Sequence, residues 1–145
     1  MAKRKSGSER VTAPKARSEP KVVADPDPYV IVDFVFDRGA LSISIENIGT
    51  RPAFEVRVDF SHKLMGVNGT VEVSALLLFS GLEFLPGGKK ISTFFDTSES
   101  YFRTRQPAQI TTRISYKDAG DIKITHTIRH NLEIYRDIGY ATLPQ

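Results

Sequence analysis

The sequence predicts an all-β fold, an antiparallel sandwich of about seven strands. Three observations lead there: apolar residues alternate with a period of two in several segments after Tyr29; turn-forming clusters recur at about ten-residue intervals; and no segment carries a long apolar stripe of helical period. The chain has 145 residues, of which 40% are hydrophobic and none is cysteine. That is enough for one core without a disulfide frame, and it excludes a thiolate zinc site or a cysteine nucleophile.

Residues 1–28 form a segment apart. They hold few large apolar residues (Val11, Val22, Val23) and four prolines. Burial cannot offset the entropy of ordering such a stretch, so a disordered tail is expected. Its basic residues are Lys3, Arg4, Lys5, Arg10, Lys15, Arg17 and Lys21, against Glu9, Glu19, Asp25 and Asp27. The remainder then carries 13 charges of each sign (20 − 7 and 17 − 4), so the net charge of +3 belongs to the tail. Asp25-Pro26-Asp27-Pro28 closes it as a helix-incompatible boundary, and the domain is expected over residues 29–145.

"YVIVDFVF" opens the domain as a strand with apolar residues on both parities, the pattern of burial on both faces. Arg38-Gly39-Ala40 is a turn, after which Leu41, Ile43 and Ile45 alternate with Ser42, Ser44 and Glu46. Asn47-Ile48-Gly49 then reads as a corner, with Gly49 free to take unusual backbone angles, Pro52 fixing its own φ and Ala53 small enough for close packing. Phe54, Val56, Val58 and Phe60 alternate as the next inward row. Residues 61–69 read as a loop or ragged hairpin, followed by a short strand at Val71 and Val73.

"ALLLFSGLEFL" fits a buried strand or a short helical turn equally well. Leu85-Pro86-Gly87-Gly88 is a turn before the strand "KKISTFFD", and "TSESYFRTRQP" reads as a polar loop. The last hairpin alternates Ile110, Thr112, Ile114 and Tyr116, turns at residues 117–121, and continues with Ile122, Ile124 and Ile128.

"LSISIENIGTRPAFEVRVDF", "FLPGGKK" and "ITTRISYKDAGDIKI" together resemble the immunoglobulin-like bacterial modules of the CARDB type, with Asn47, Gly49, Ala53, Leu85, Pro86 and Gly87 carrying the match. The resemblance covers about 100 residues, from "YVIVDF" to "THTIRH", and rests on turn signals. It implies an immunoglobulin-like sandwich with a structural or adhesive role, and it transfers no catalytic residue.

Candidate chemistry is sparse. His126 and His130 are four apart, which in a strand is roughly 13 Å at about 3.3 Å per residue. One tetrahedral metal with bonds of about 2 Å cannot span that, so no metal and no cofactor are expected. "PGGKKIS" has Glu83 where a phosphate loop needs its first glycine, and it reads as a turn. Asp118 and Asp121 are read as turn residues before calcium ligands, and Asn68-Gly69-Thr70 as a turn before a glycosylation acceptor.

Recognition is expected in the 96–107 connection. Tyr101, Phe102, Arg103 and Arg105 are residue types that dominate binding hot spots, although an aromatic residue there also suits plugging an open end of the sandwich. The function expected is a non-enzymatic protein-interaction or structural module that presents a face, an edge or this loop to a protein partner. The alternative is association with nucleic acid or another anionic surface through Lys3, Arg4 and Lys5 of the tail only, since the neutral remainder with its interspersed signs lacks the field of a phosphate-binding face. With no apolar run of signal-peptide or membrane-span length and no cysteine, the expected location is cytoplasmic.

Overall fold

The structure, a computed structural model, describes residues 27–141. The expected tail therefore lies outside the described residues apart from Asp27 and Pro28. The strands are β1 (Val30–Asp37), β2 (Ala40–Asn47), β3 (Ala53–Phe60), β4 (Met65–Gly66), β5 (Val71–Glu72), β6 (Leu82–Leu85), β7 (Lys90–Thr97), β8 (Gln109–Lys117) and β9 (Lys123–Asn131). Two helices, α1 (Ser98–Arg103) and α2 (Ile134–Ala141), follow β7 and β9.

One sheet has the order β1-β2-β7 and the other β9-β8-β3-β6, with every pairing antiparallel. The chain changes sheet from β2 to β3, from β6 to β7 and from β7 to β8, which makes the immunoglobulin-like Greek key. Seven strands build the sandwich, four in one sheet and three in the other, and β4 and β5 form a separate small hairpin.

The core is the inward parity of these strands: Val30, Val32 and Phe34 from β1, Leu41, Ile43 and Ile45 from β2, Ile110, Ile114 and Tyr116 from β8. Strand β1 is not buried on both sides as its composition suggested. It is the edge of the three-stranded sheet, and its second parity faces outward at Ile31, Asp33 and Val35. Strand β3 also departs from simple alternation. A bulge between Phe54 and Arg57, with Glu55 at φ 52°, turns Ala53 inward and leaves Phe54 on the outside.

The ambiguous stretch resolves as two short 3-10 turns, Val73–Ala75 and Leu77–Phe79, before β6. Val73 thus leaves the strand assigned to it. The "polar loop" contains α1, begun by Thr97, whose hydroxyl accepts the Ser100 N–H at 3.1 Å. Ile122 is a turn residue, 61% exposed, one position before β9 begins.

The corner after β2 is a clamp. Asn47 is fully buried, and its Oδ1 accepts the N–H groups of Tyr29 (3.1 Å) and Gly49 (3.0 Å). Its Nδ2 donates to the carbonyls of Arg51 (2.8 Å) and Leu85 (3.1 Å). A Cβ on Gly49 would stand 1.9 Å from the Asp27 carbonyl oxygen, and one on Gly87 would stand 2.4 Å from that of Thr50. Both glycines are needed because backbone passes where a side chain would be, and the motif residues serve the architecture.

Candidate functional site

Helix α1 and the turn after it carry the residues expected to recognise a partner, and the structure separates them. Tyr101 is 0% exposed, packs 4.7 Å from the Phe95 ring, and donates its hydroxyl proton to the Pro107 carbonyl. Burial and, second, the Asp96 carboxylate push its phenol well above the usual range. It plugs the end of the sandwich, and its side chain offers no surface to a partner.

Phe102 is partly buried, with the Arg136 guanidinium 4.2 Å over its ring. Arg103 reaches Asn68 Oδ1 at 3.0 Å and Glu99 at 4.0 Å, and Arg105 is exposed with φ 58°. Only the two arginines remain at the surface. Beneath them Asp96 is buried. Its Oδ1 accepts from Thr97 N and Asn68 N, while Oδ2 has no partner among the described residues. Lys3, Arg4 and Lys5 lie outside the described residues.

The histidines of β9 point inward and close the seam between the sheets. His126 Nε2 lies 2.7 Å from the Val30 carbonyl oxygen, so that nitrogen carries the proton, and the ring lies between Tyr29 and Tyr116. His130 Nε2 contacts Thr112 Oγ1 at 3.1 Å, and the ring meets Phe34 edge-on at 4.8 Å. Burial lowers the His130 pKa below its usual 6.5, with the Asp33 charge opposing more weakly. Tyr135 of α2 seals the same seam by donating to the Phe34 carbonyl at 2.9 Å.

A shallow polar depression of about 300 Å³ lies beside the end of β3, lined by Asp59, Ser61, His62, Lys63 and Glu72 among others. Ser61 Oγ is 2.9 Å from His62 Nδ1 and accepts the Thr111 N–H at 2.9 Å. Among the described residues no third group hydrogen-bonds His62, so this pair lacks the orienting partner of an activated nucleophile. At the β8–β9 turn, Asp118 Oδ1 caps the N–H groups of Gly120 and Ile122, and Asp121 bridges Lys117 at 3.4 Å. Those carboxylates are occupied in making the turn.

The two outer faces carry what the loop does not. On the three-stranded sheet the register aligns Ile31 with Glu46 and Lys90, Asp33 with Ser44 and Ser92, Val35 with Ser42 and Phe94, and Asp37 with Ala40 and Thr97. Simple alternation along β7 puts Phe95 in the core and leaves Phe94 51% exposed, and the bulge that follows turns Asp96 inward as well. The result is a strip of small residues, Ser42 between Val35 and Phe94 and Ser92 beside them with Ser44 buried, rimmed by Asp33, Asp37 and Glu46 with Lys90 opposite Glu46.

On the four-stranded sheet Lys123, Lys117, Phe54 and Phe84 stand in one row across all strands. Thr125, Ser115 and Arg57 form the next, followed by Thr127, Arg113 and Asp59, and by Arg129 and Thr111. Hydrogen bonding to Asp121, and the charges of Asp121 and Glu55, raise the Lys117 pKa above its usual value.

A family profile described as a domain of unknown function, DUF8453, matches residues 4–136. The chain belongs to this family. No curated protein and no solved structure matches it. The DUF8453 match spans both sheets, both outer faces and the start of α2, including Tyr135 and Arg136. It also takes in the basic segment from Arg4 onward.

Among the described residues no helix of the DUF8453 domain is long and apolar enough to cross a membrane. Phe84 and Phe94 were not singled out from sequence. The facing of Phe94 follows from its parity with Ser92, whereas that of Phe84 depends on its pairing with Phe54 beside the bulge in β3, which alternation does not reveal.

Proposed function

We propose that this DUF8453 domain is a non-enzymatic protein-interaction module of the immunoglobulin-like, CARDB-resembling kind, working in the cytoplasm. It meets its partner with the outer face of the three-stranded sheet. The observation that carries the reading is Phe94, half exposed across Ser42 from Val35 on a sheet whose neighbouring outward residues are small. An aromatic anchor beside a strip of small residues lets a partner backbone approach closely, and the acidic rim selects a partner with basic groups around an apolar centre.

The convergence of Asn47, Gly49, Ala53, Leu85 and Gly87 at one end supports the same reading, since those residues hold the fold and leave the faces free. The absence of cysteine suits a reducing compartment.

The test is capture of partners from a lysate of the source cells with the full chain and its Phe94→Ser and Phe84→Ser variants, washed at high salt. A protein held by wild type and Phe84→Ser but lost by Phe94→Ser is the expected result. Equal capture by all three, or loss only with Phe84→Ser, would remove this face from the interaction.

A further inference from the structure

The outer face of the four-stranded sheet combines two kinds of group. One is an aromatic pair with one exposed and one partly buried ring. Phe84 is 52% exposed, Phe54 is its cross-strand neighbour, and their ring centroids are 5.5 Å apart. The other is a set of cations spread over successive rows: Lys117 and Lys123 beside the aromatic pair, then Arg57, Arg113 and Arg129. Rows two residues apart are separated by about 6.7 Å and strands by about 4.8 Å, so the cations cover an area of several nucleotides. Thr111, Ser115, Thr125 and Thr127 fill the positions between them with small hydroxyl donors.

From this juxtaposition we propose that the face binds single-stranded nucleic acid. Unpaired bases stack on Phe84 and Phe54, and the sugar-phosphate backbone crosses β8 and β9 over Lys117, Lys123, Arg113 and Arg129. Both halves of the pattern are needed for that choice. Cations and hydroxyls alone would suit any phosphate surface, but exposed rings beside them are useful to a ligand that offers unpaired base faces. A duplex keeps its bases stacked, and a lipid headgroup has none.

The face is tempered by its own acids. Glu55 and Asp121 hold Lys117 at 3.5 and 3.4 Å, and Asp59 stands opposite Arg113. Lys123 and Arg129 carry no ion pair among the described residues, so they meet phosphate first. The reading is independent of the acidic face of the other sheet. It also differs from attachment through the tail, because it puts the contacts on the sandwich.

The experiment measures fluorescence anisotropy of a labelled oligo(dT) of about twelve nucleotides with the full chain, across a salt series, with a duplex of equal length and phosphatidylserine vesicles as competitors. The variants are Phe84→Ala, Arg129→Ala and a triple Lys3→Ala, Arg4→Ala, Lys5→Ala chain, each checked for an unchanged thermal midpoint. Phe84→Ala is expected to weaken binding at least fivefold with the salt slope unchanged, since stacking is worth about 1–3 kcal/mol per base. Arg129→Ala is expected to weaken it and to flatten the log–log salt slope by about 0.7. The duplex and the vesicles should compete poorly. Failure to bind the oligonucleotide, binding unchanged by both Phe84→Ala and Arg129→Ala, loss only in the tail variant, or equal competition by duplex or vesicles would each overturn the proposal.

Discussion

The outward residues of the four-stranded sheet include Arg57, Arg113, Lys117, Lys123 and Arg129 against Asp59, whereas those of the three-stranded sheet include Asp33, Asp37 and Glu46 against Lys90. Each face also shows one half-exposed phenylalanine, Phe84 on the first and Phe94 on the second. The two faces rest on the same core, so packing of that core does not explain their difference. The core dictates only the inward parity of each strand, and the outward parity is left to respond to what the surface meets. The two proposals, a basic partner for one face and an acidic ligand for the other, rest on this opposition of charge.

The comparison breaks most severely at the clamp both sheets share. Asn47→Ala leaves two N–H groups and two carbonyls, one of each buried, without their partner, and is expected to lower the stability to urea by about 3 kcal/mol. Both faces should lose binding together. If one face still bound its ligand at a urea concentration that unfolds the other, the shared-core premise would fail.

Acid distinguishes the sheets more gently. The folded-state pKa of His130 lies below the 6.5 of the unfolded chain, so unfolding takes up a proton in that window. Its contribution is complete above about pH 6.5 and is lost as the pH falls toward the lowered folded value. Because His130 belongs to β9, amide exchange corrected for intrinsic rate should rise in β9 before it rises in β7. A His130→Gln chain should show a flatter urea midpoint between pH 7 and 5. Equal loss of protection in both strands would place the acid response elsewhere.

The smallest effects are expected where the faces themselves are changed. Phe84→Ser and Phe94→Ser remove half-exposed rings, and each should shift stability by about 1 kcal/mol or less. A larger loss in either would mean that the ring is structural, and would weaken the functional reading of that face.

Much of the fold was legible along the chain. The alternation of Leu41, Ile43 and Ile45, and of Ile110, Thr112, Ile114 and Tyr116, predicts strands that the structure contains with those residues inward. Arg38-Gly39 is a tight turn with both residues at positive φ, as its glycine suggested. The inward facing of His126 and His130 also follows from their parity with Ile124 and Ile128. Helices α1 and α2 were not legible, because six and eight residues are too few to establish a 3.6-residue period against a polar background. From sequence, plugging the open end by Tyr101 or Phe102 stands slightly ahead of binding, and the burial of Tyr101 between Phe95 and Pro107 makes it the plug.

By itself the sequence determined the sandwich class, the corner at Asn47-Ile48-Gly49 and a zero net charge from Tyr29 onward, because period, turn chemistry and totals are properties of one strand or of the whole sum. Only the tertiary structure decided that the neutral sum divides into a cationic face and an acidic one. Arg57, Arg113 and Arg129 come from three strands whose pairing places them on one side, and Asp33 and Glu46 from two others. A bulge at Glu55 then leaves Phe54 on the outside, opposite Phe84. A local pattern cannot encode this, since the sign of a surface depends on which distant strands become neighbours and on the single-residue shifts in their register.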